Sequence, residues 1–116
     1  MAPLLRSPFC RAAVCALSLL AGCGKSASSP EAQKARDACI AECQKRLQNK
    51  EDLSKGPCLS DSLPSRVIEP DWVCDVAHSP RQDVDNQSAN QCAAYHDGTA
   101  GHFIEVDPAC AFIQAN

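Results

Sequence analysis

Residues 31–50 read EAQKARDACIAECQKRLQNK, a run with no glycine or proline and rich in Ala, Glu, Gln, Lys and Arg. These residues lose little side-chain freedom in a helix, so the run predicts one long helix. Ser29 supplies an N-cap oxygen, and Pro30 and Glu31 suit a first turn, where a missing N–H costs nothing and an acid meets the positive helix end. Ala32, Ala35, Cys39, Cys43 and Leu47 recur at spacings of three and four and form one face. Cys39 and Cys43 sit at i and i+4 on that face, where a regular helix does not bring two sulfurs into bonding geometry. Each therefore needs a partner off the helix, and the fold reads as a helix stapled to whatever follows it. A thioredoxin-type redox pair has two intervening residues and a βαβ setting, and this pair has neither.

Downstream, residues 51–71 contain Gly56, Pro57, Pro64 and Pro70 and read as loop, with Val67 and Ile68 a short extended piece. DWVCDVA, residues 71–77, alternates Trp72, Cys74 and Val76 against Asp75, the pattern of a half-buried strand. Residues 78–87 are polar and turn-forming. Residues 88–98 predict a short helix capped by Ser88 and stopped at Gly98. HFIEVDPACAFIQ then gives a hairpin of 102–106 and 110–114 turned at Asp107 and Pro108. The expected fold is α+β: a small disulfide-rich domain over 31–116 with a long N-terminal helix, three short antiparallel strands and one short helix.

Upstream, residues 1–11 carry Arg6 and Arg11 and no acid, and AAVCALSLL, residues 12–20, is a nine-residue apolar run closed by Ala21 and Gly22. That is the layout of a secretory signal peptide; a membrane-spanning helix needs about 20 apolar residues. Leu20-Ala21-Gly22-Cys23 resembles the lipobox of bacterial lipoproteins. The resemblance implies that residues 1–22 are a removed signal peptide. It also implies that Cys23 carries covalent diacylglycerol and an acyl chain such as palmitate, and that residues 23–30, with their GKSASSP stretch, form a flexible tether. Several acyl chains hold a protein firmly at a membrane surface without spanning it. Gly24, in the place where an Asp retains such proteins at an inner membrane, implies the outer membrane of the cell envelope, facing the periplasm or the surface. No other cofactor is implied.

Of nine cysteines, Cys10 and Cys15 leave with the signal and Cys23 is taken by lipid, so six remain: Cys39, Cys43, Cys58, Cys74, Cys92 and Cys110. An even number in a short exported chain reads as a disulfide framework, with fifteen possible pairings. The parity supports the lipobox, because Cys23 would otherwise be an odd thiol. Trp72, Tyr95, Phe103 and Phe112 are the aromatic residues after Cys23, so the core is thin and bridges worth ~2–4 kcal/mol each matter. Proximity along the chain suggests Cys43 with Cys58, Cys92 with Cys110, and hence Cys39 with Cys74. Without Arg6 and Arg11, nine basic residues face fourteen acidic ones, a formal charge of −5, which argues against a nucleic-acid partner.

His78, His96 and His102, with Asp75 and Asp97 nearby in sequence, are the candidate nitrogen and carboxylate ligands for a metal, but they lack H-x-x-x-H or H-E-x-x-H spacing. Asp83-x-Asp85-x-Gln87 departs from a calcium loop at Ser88 and Ala94. Glu69-x-Asp71-x-x-Cys74 recurs in form as Glu105-x-Asp107-x-x-Cys110, either a coincidence of short motifs or two equivalent turns. There is no G-x-S-x-G, no phosphate-binding glycine loop and no recognisable carboxylate pair. The sequence thus points to a lipid-anchored, non-catalytic binding or structural module with a protein or small-molecule partner. The alternative is a thiol-redox or metal-handling protein using Cys39 and Cys43 or the three histidines.

Overall fold

The computed structural model describes residues 29–116; the expected signal peptide, Cys23 and the expected tether up to residue 28 lie outside the described residues. Helix α1 spans Pro30–Gln48, and the Ser29 hydroxyl accepts the Ala32 N–H at 3.0 Å. Strand β1 is Trp72–Val76, the single-turn helix α2 is Ala93–His96, and strands β2 and β3 are His102–Val106 and Phe112–Ala115. Short 3₁₀ turns occur at Ser60–Ser62, Asp83–Asn86 and Ser88–Asn90.

The sheet order is β1-β2-β3. The expected hairpin of β2 and β3 is antiparallel, with an irregularity at Glu105 and Val106, but β1 pairs with β2 in parallel. The all-antiparallel expectation is therefore corrected. Parallel neighbours need a crossover of a dozen or more residues, and residues 77–101 supply it. This crossover covers the face of the sheet opposite α1 and explains a second correction. β1 is buried at all five positions, Asp75 included, and is not half-exposed. Its outer edge is also covered: the Leu59 N–H donates to the Cys74 carbonyl at 2.9 Å and the Val76 N–H donates to the Pro57 carbonyl at 3.1 Å.

Two apolar layers follow from the period-two alternation of the strands. On one face, Ala32, Ala35, Cys39 and Cys43 of α1 pack on Trp72, Cys74, Val76, Ile104, Val106 and Ala115. On the other, Val73 and Phe103 pack with Cys92, Ala94 and Ala100. The helix face in contact is made of small residues, which lets its backbone come close and puts its sulfurs within reach of the strands. Leu47, expected to continue that face, is 41 % exposed. The last turn is instead tied down by Arg46, which donates to Glu42, Glu51, the Leu59 carbonyl and Ser62.

Three disulfides close the fold: Cys39–Cys74, Cys43–Cys110 and Cys58–Cys92. The first agrees with the sequence reading; the pairings Cys43 with Cys58 and Cys92 with Cys110 are corrected. Four helical residues rise about 6 Å, more than one strand spacing of about 4.8 Å. Cys39 and Cys43 accordingly meet different parts of the sheet: β1 for Cys39, and the turn after β2 for Cys43. The 88–98 helix is also broken in two, because Cys92, bonded to Cys58, is extended at φ −70° and ψ 118°. Its second half is capped from outside, by Asp61 accepting the Ala93 N–H at 3.1 Å, and not by Ser88. Gly98, at φ +80°, ends the turn as expected.

Candidate functional site

The parallel register sets Asp75 of β1 directly beside Glu105 of β2, on the sheet face turned away from α1. Both acids are buried, at 8 % and 6 % exposure. Glu105 is fully engaged: its Oε1 accepts from Arg81 at 2.9 Å and its Oε2 from the Gln114 amide at 2.7 Å. Arg81 is held in turn by donating to Asn86 and to the Asp85 carbonyl. Asp75 differs, because its Oδ1 is buried with no hydrogen-bond partner. Burial, and then the negative charge of Glu105, push the Asp75 carboxyl up to about 8, with Arg81 pulling the other way. A buried carboxyl beside a carboxylate keeps its proton because the ionised form would be both desolvated and repelled.

Above this pair lies a cavity of about 290 Å³. Its floor includes Val73, Asp75, Phe103, Glu105 and Gln114; its walls include Arg81, Gln91, Tyr95 and His96. The Tyr95 and Phe103 rings meet edge to face at 5.1 Å. The size is at the small end for ligand cavities, which run from roughly 300 Å³ upward. A larger cavity, about 490 Å³, is lined by Ser29, Glu31, Trp72, His102 and Asn116. It borders the start of the described residues, and its Asp71 and His102 lie 3.5 Å apart and answer each other. The smaller cavity, with an unanswered buried acceptor, is the stronger candidate.

Beside it, Asp85 holds the crossover in place. Its buried carboxylate accepts the backbone N–H groups of His78 at 3.0 Å and Gln82 at 2.9 Å and lies 2.9 Å from His78 Nδ1. Burial acts to raise its pKa, but these donors prevail and hold it below the ordinary value. Gly56, at φ +67°, passes so close that a Cβ there would lie 2.6 Å from the Asp85 Oδ1. Replacing Asp85 by Ala strands two backbone donors, and the expected cost is about 3 kcal/mol in urea unfolding. A loss under about 1 kcal/mol would show that the crossover is held by other contacts.

The sequence-derived candidates are placed as follows. The three histidines have separate partners: Asp85 for His78, Gln91 for His96, and the Trp72 ring with Asp71 for His102. Among the described residues they do not gather into one cluster of ligating groups. Atoms of Cys58, Asp61 and Cys92 do come within 4.8 Å of one another, but the two sulfurs are bonded together and Asp61 caps α2. Cys39 and Cys43 are both bridged off the helix. The repeated Glu-x-Asp-x-x-Cys form marks no structural equivalence, because Cys74 lies within β1 whereas Cys110 lies in the turn between β2 and β3. The Asp75–Glu105 pair escaped the sequence reading. Its only trace was an acid at the same phase in CDV (residues 74–76) and IEV (residues 104–106). No described helix is long and apolar enough to cross a membrane. No protein-family model, no curated protein and no solved structure matches the chain.

Proposed function

We propose that the chain is a lipid-anchored envelope protein of the outer membrane whose stapled domain binds a small ligand in the Asp75–Glu105 cavity without catalysing a reaction on it. The observation that carries the anchor is the cysteine arithmetic. All six cysteines after Cys23 pair with one another, so a lipid on Cys23 would displace none of the three bridges, which supports the lipobox reading. Three bridges also suit an oxidising compartment. The domain begins at the cap of α1, a few residues after Cys23, so a short tether would hold it close to the bilayer.

The test is Cys23→Ser with cell fractionation and labelled palmitate. The wild type is expected in the membrane fraction and labelled; the variant is expected to keep its signal peptide or become soluble, and to lose the label. A variant that is processed and membrane-bound like the wild type refutes the anchor. A thiol count on the same native protein checks the binding reading against the redox one: six blocked cysteines support the former, and a reactive Cys39 and Cys43 the latter.

A further inference from the structure

We infer that the cavity over Asp75 and Glu105 is a site for a small organic cation, a primary ammonium group that donates to the Asp75 carboxyl and lies against the Tyr95 and Phe103 rings. This rests on the reading of the domain as a binding module and adds the class of its ligand.

A buried acceptor left without a donor costs free energy; Asp75 lines the cavity at 8 % exposure, and its enclosed Oδ1 has no partner among the described residues. The guanidinium and amide donors of the lining are committed elsewhere. Arg81 uses its Nε and both Nη groups on Asn86, Glu105 and Asp85. The Gln91 amide donates to the Asp85 carbonyl and its oxygen meets His96 Nε2 at 2.6 Å, while Gln114 donates to Glu105. A ligand that supplies a donor would answer this carboxyl.

Charge selects the kind of donor. Asp75 faces Glu105 on β2, Asp85 and Arg81 on the crossover, and the cavity rim adds Tyr95 and His96 on α2. Among the lining residues the two acids, Asp75 and Glu105, outnumber the single guanidinium of Arg81. An anion entering here would meet Glu105; an ammonium would gain from it. Aromatic faces next to a carboxylate favour an organic cation further, through attraction to the ring quadrupole.

Cation binding and Asp75 ionisation are linked. The ammonium favours the ionised carboxyl, so below about pH 8 binding releases the Asp75 proton to solvent. Apparent affinity then rises with pH, by up to about tenfold per unit, and levels off above the Asp75 pKa.

The experiment titrates the full exported protein, in detergent if lipidated, with propylammonium, and with propanol and propionate as probes of equal size. NMR at the Gln114 amide and the Asp75 carboxyl follows binding between pH 5 and 9. Propylammonium alone is expected to bind, at roughly millimolar concentration given so small a probe, with the stated rise towards pH 8. Asp75→Asn is expected to weaken it at least tenfold at pH 8 and to flatten the profile. Tyr95→Leu, at a half-exposed ring, is expected to weaken it several-fold. If propanol or propionate binds as well as or in place of propylammonium, or if the Asp75→Asn protein binds unchanged, the cavity is a binding site but the cation assignment fails. If none of the three probes binds, the assignment fails and the binding-module reading falls with it. The soluble Cys23→Ser protein gives the same titration whatever becomes of the anchor.

Discussion

Replacing Asp75 by Asn is expected to stabilise the protein at pH 9 by several kcal/mol, and at pH 5 by only about 1 kcal/mol. In the unfolded chain this carboxyl titrates near its ordinary value of about 4; in the folded protein burial and Glu105 hold its proton up to about 8. Between those values the native state carries a proton that the unfolded state has lost, so wild-type stability falls as pH rises through that window. Four units correspond to an upper figure of about 5 kcal/mol. Asp85 has the opposite sign, since donors depress its pKa, but its contribution is lost only as pH falls below about 4 and leaves the window untouched. Urea unfolding at pH 5, 7 and 9, with disulfides intact, should show a steep decline for the wild type and a nearly flat line for Asp75→Asn. Parallel slopes would mean that Asp75 titrates as an ordinary carboxyl.

The second large effect belongs to Cys43–Cys110, whose closed loop, at a sequence separation of 67, is the longest of the three. On loop-closure entropy it contributes about 4 kcal/mol. The paired substitution Cys43→Ala with Cys110→Ala should therefore lower the melting temperature by roughly 15–30 °C for a domain this small. The reason is local as well as entropic. Cys110 follows the Asp107 turn at φ +70°, with its N–H on the Asp107 carbonyl at 2.8 Å. Without the bridge, little else ties the turn to the last buried position of α1. A drop of only a few degrees would show that β3 and the Asp107 turn hold themselves.

What the sequence made legible was local. The cap, composition and cysteine spacing of α1 were readable because helix formation is decided within a few residues, and the helix starts where Ser29 places it. The strands were readable from their alternation for the same reason. Their pairing was not, because DWVCDVA has the same pattern whether its neighbour runs parallel or antiparallel. The Asp75–Glu105 site was lost with it: two single acids in separate strands become a pair only through the β1–β2 register. The disulfide reading failed on the same ground. Nearness in sequence favoured Cys43 with Cys58, whereas the sheet carries Cys110 back under α1 and puts Cys58 beside Cys92 on the opposite face.

The connectivity of the bridges bears on how the molecule can be made. Numbered in order along the chain, the six cysteines join first to fourth, second to sixth and third to fifth. No bridge joins consecutive thiols. An oxidant acting on the chain as it emerges, N-terminus first, would link Cys39 to Cys43, Cys58 to Cys74 and Cys92 to Cys110, and every one of those links is foreign to the native set. Cys43 cannot find its partner until nearly the whole chain has been delivered. If the chain is oxidised in that order, reaching the native set requires thiol exchange through mixed disulfides, a process of seconds to hours, and a host lacking a disulfide isomerase should then accumulate this protein as scrambled isomers.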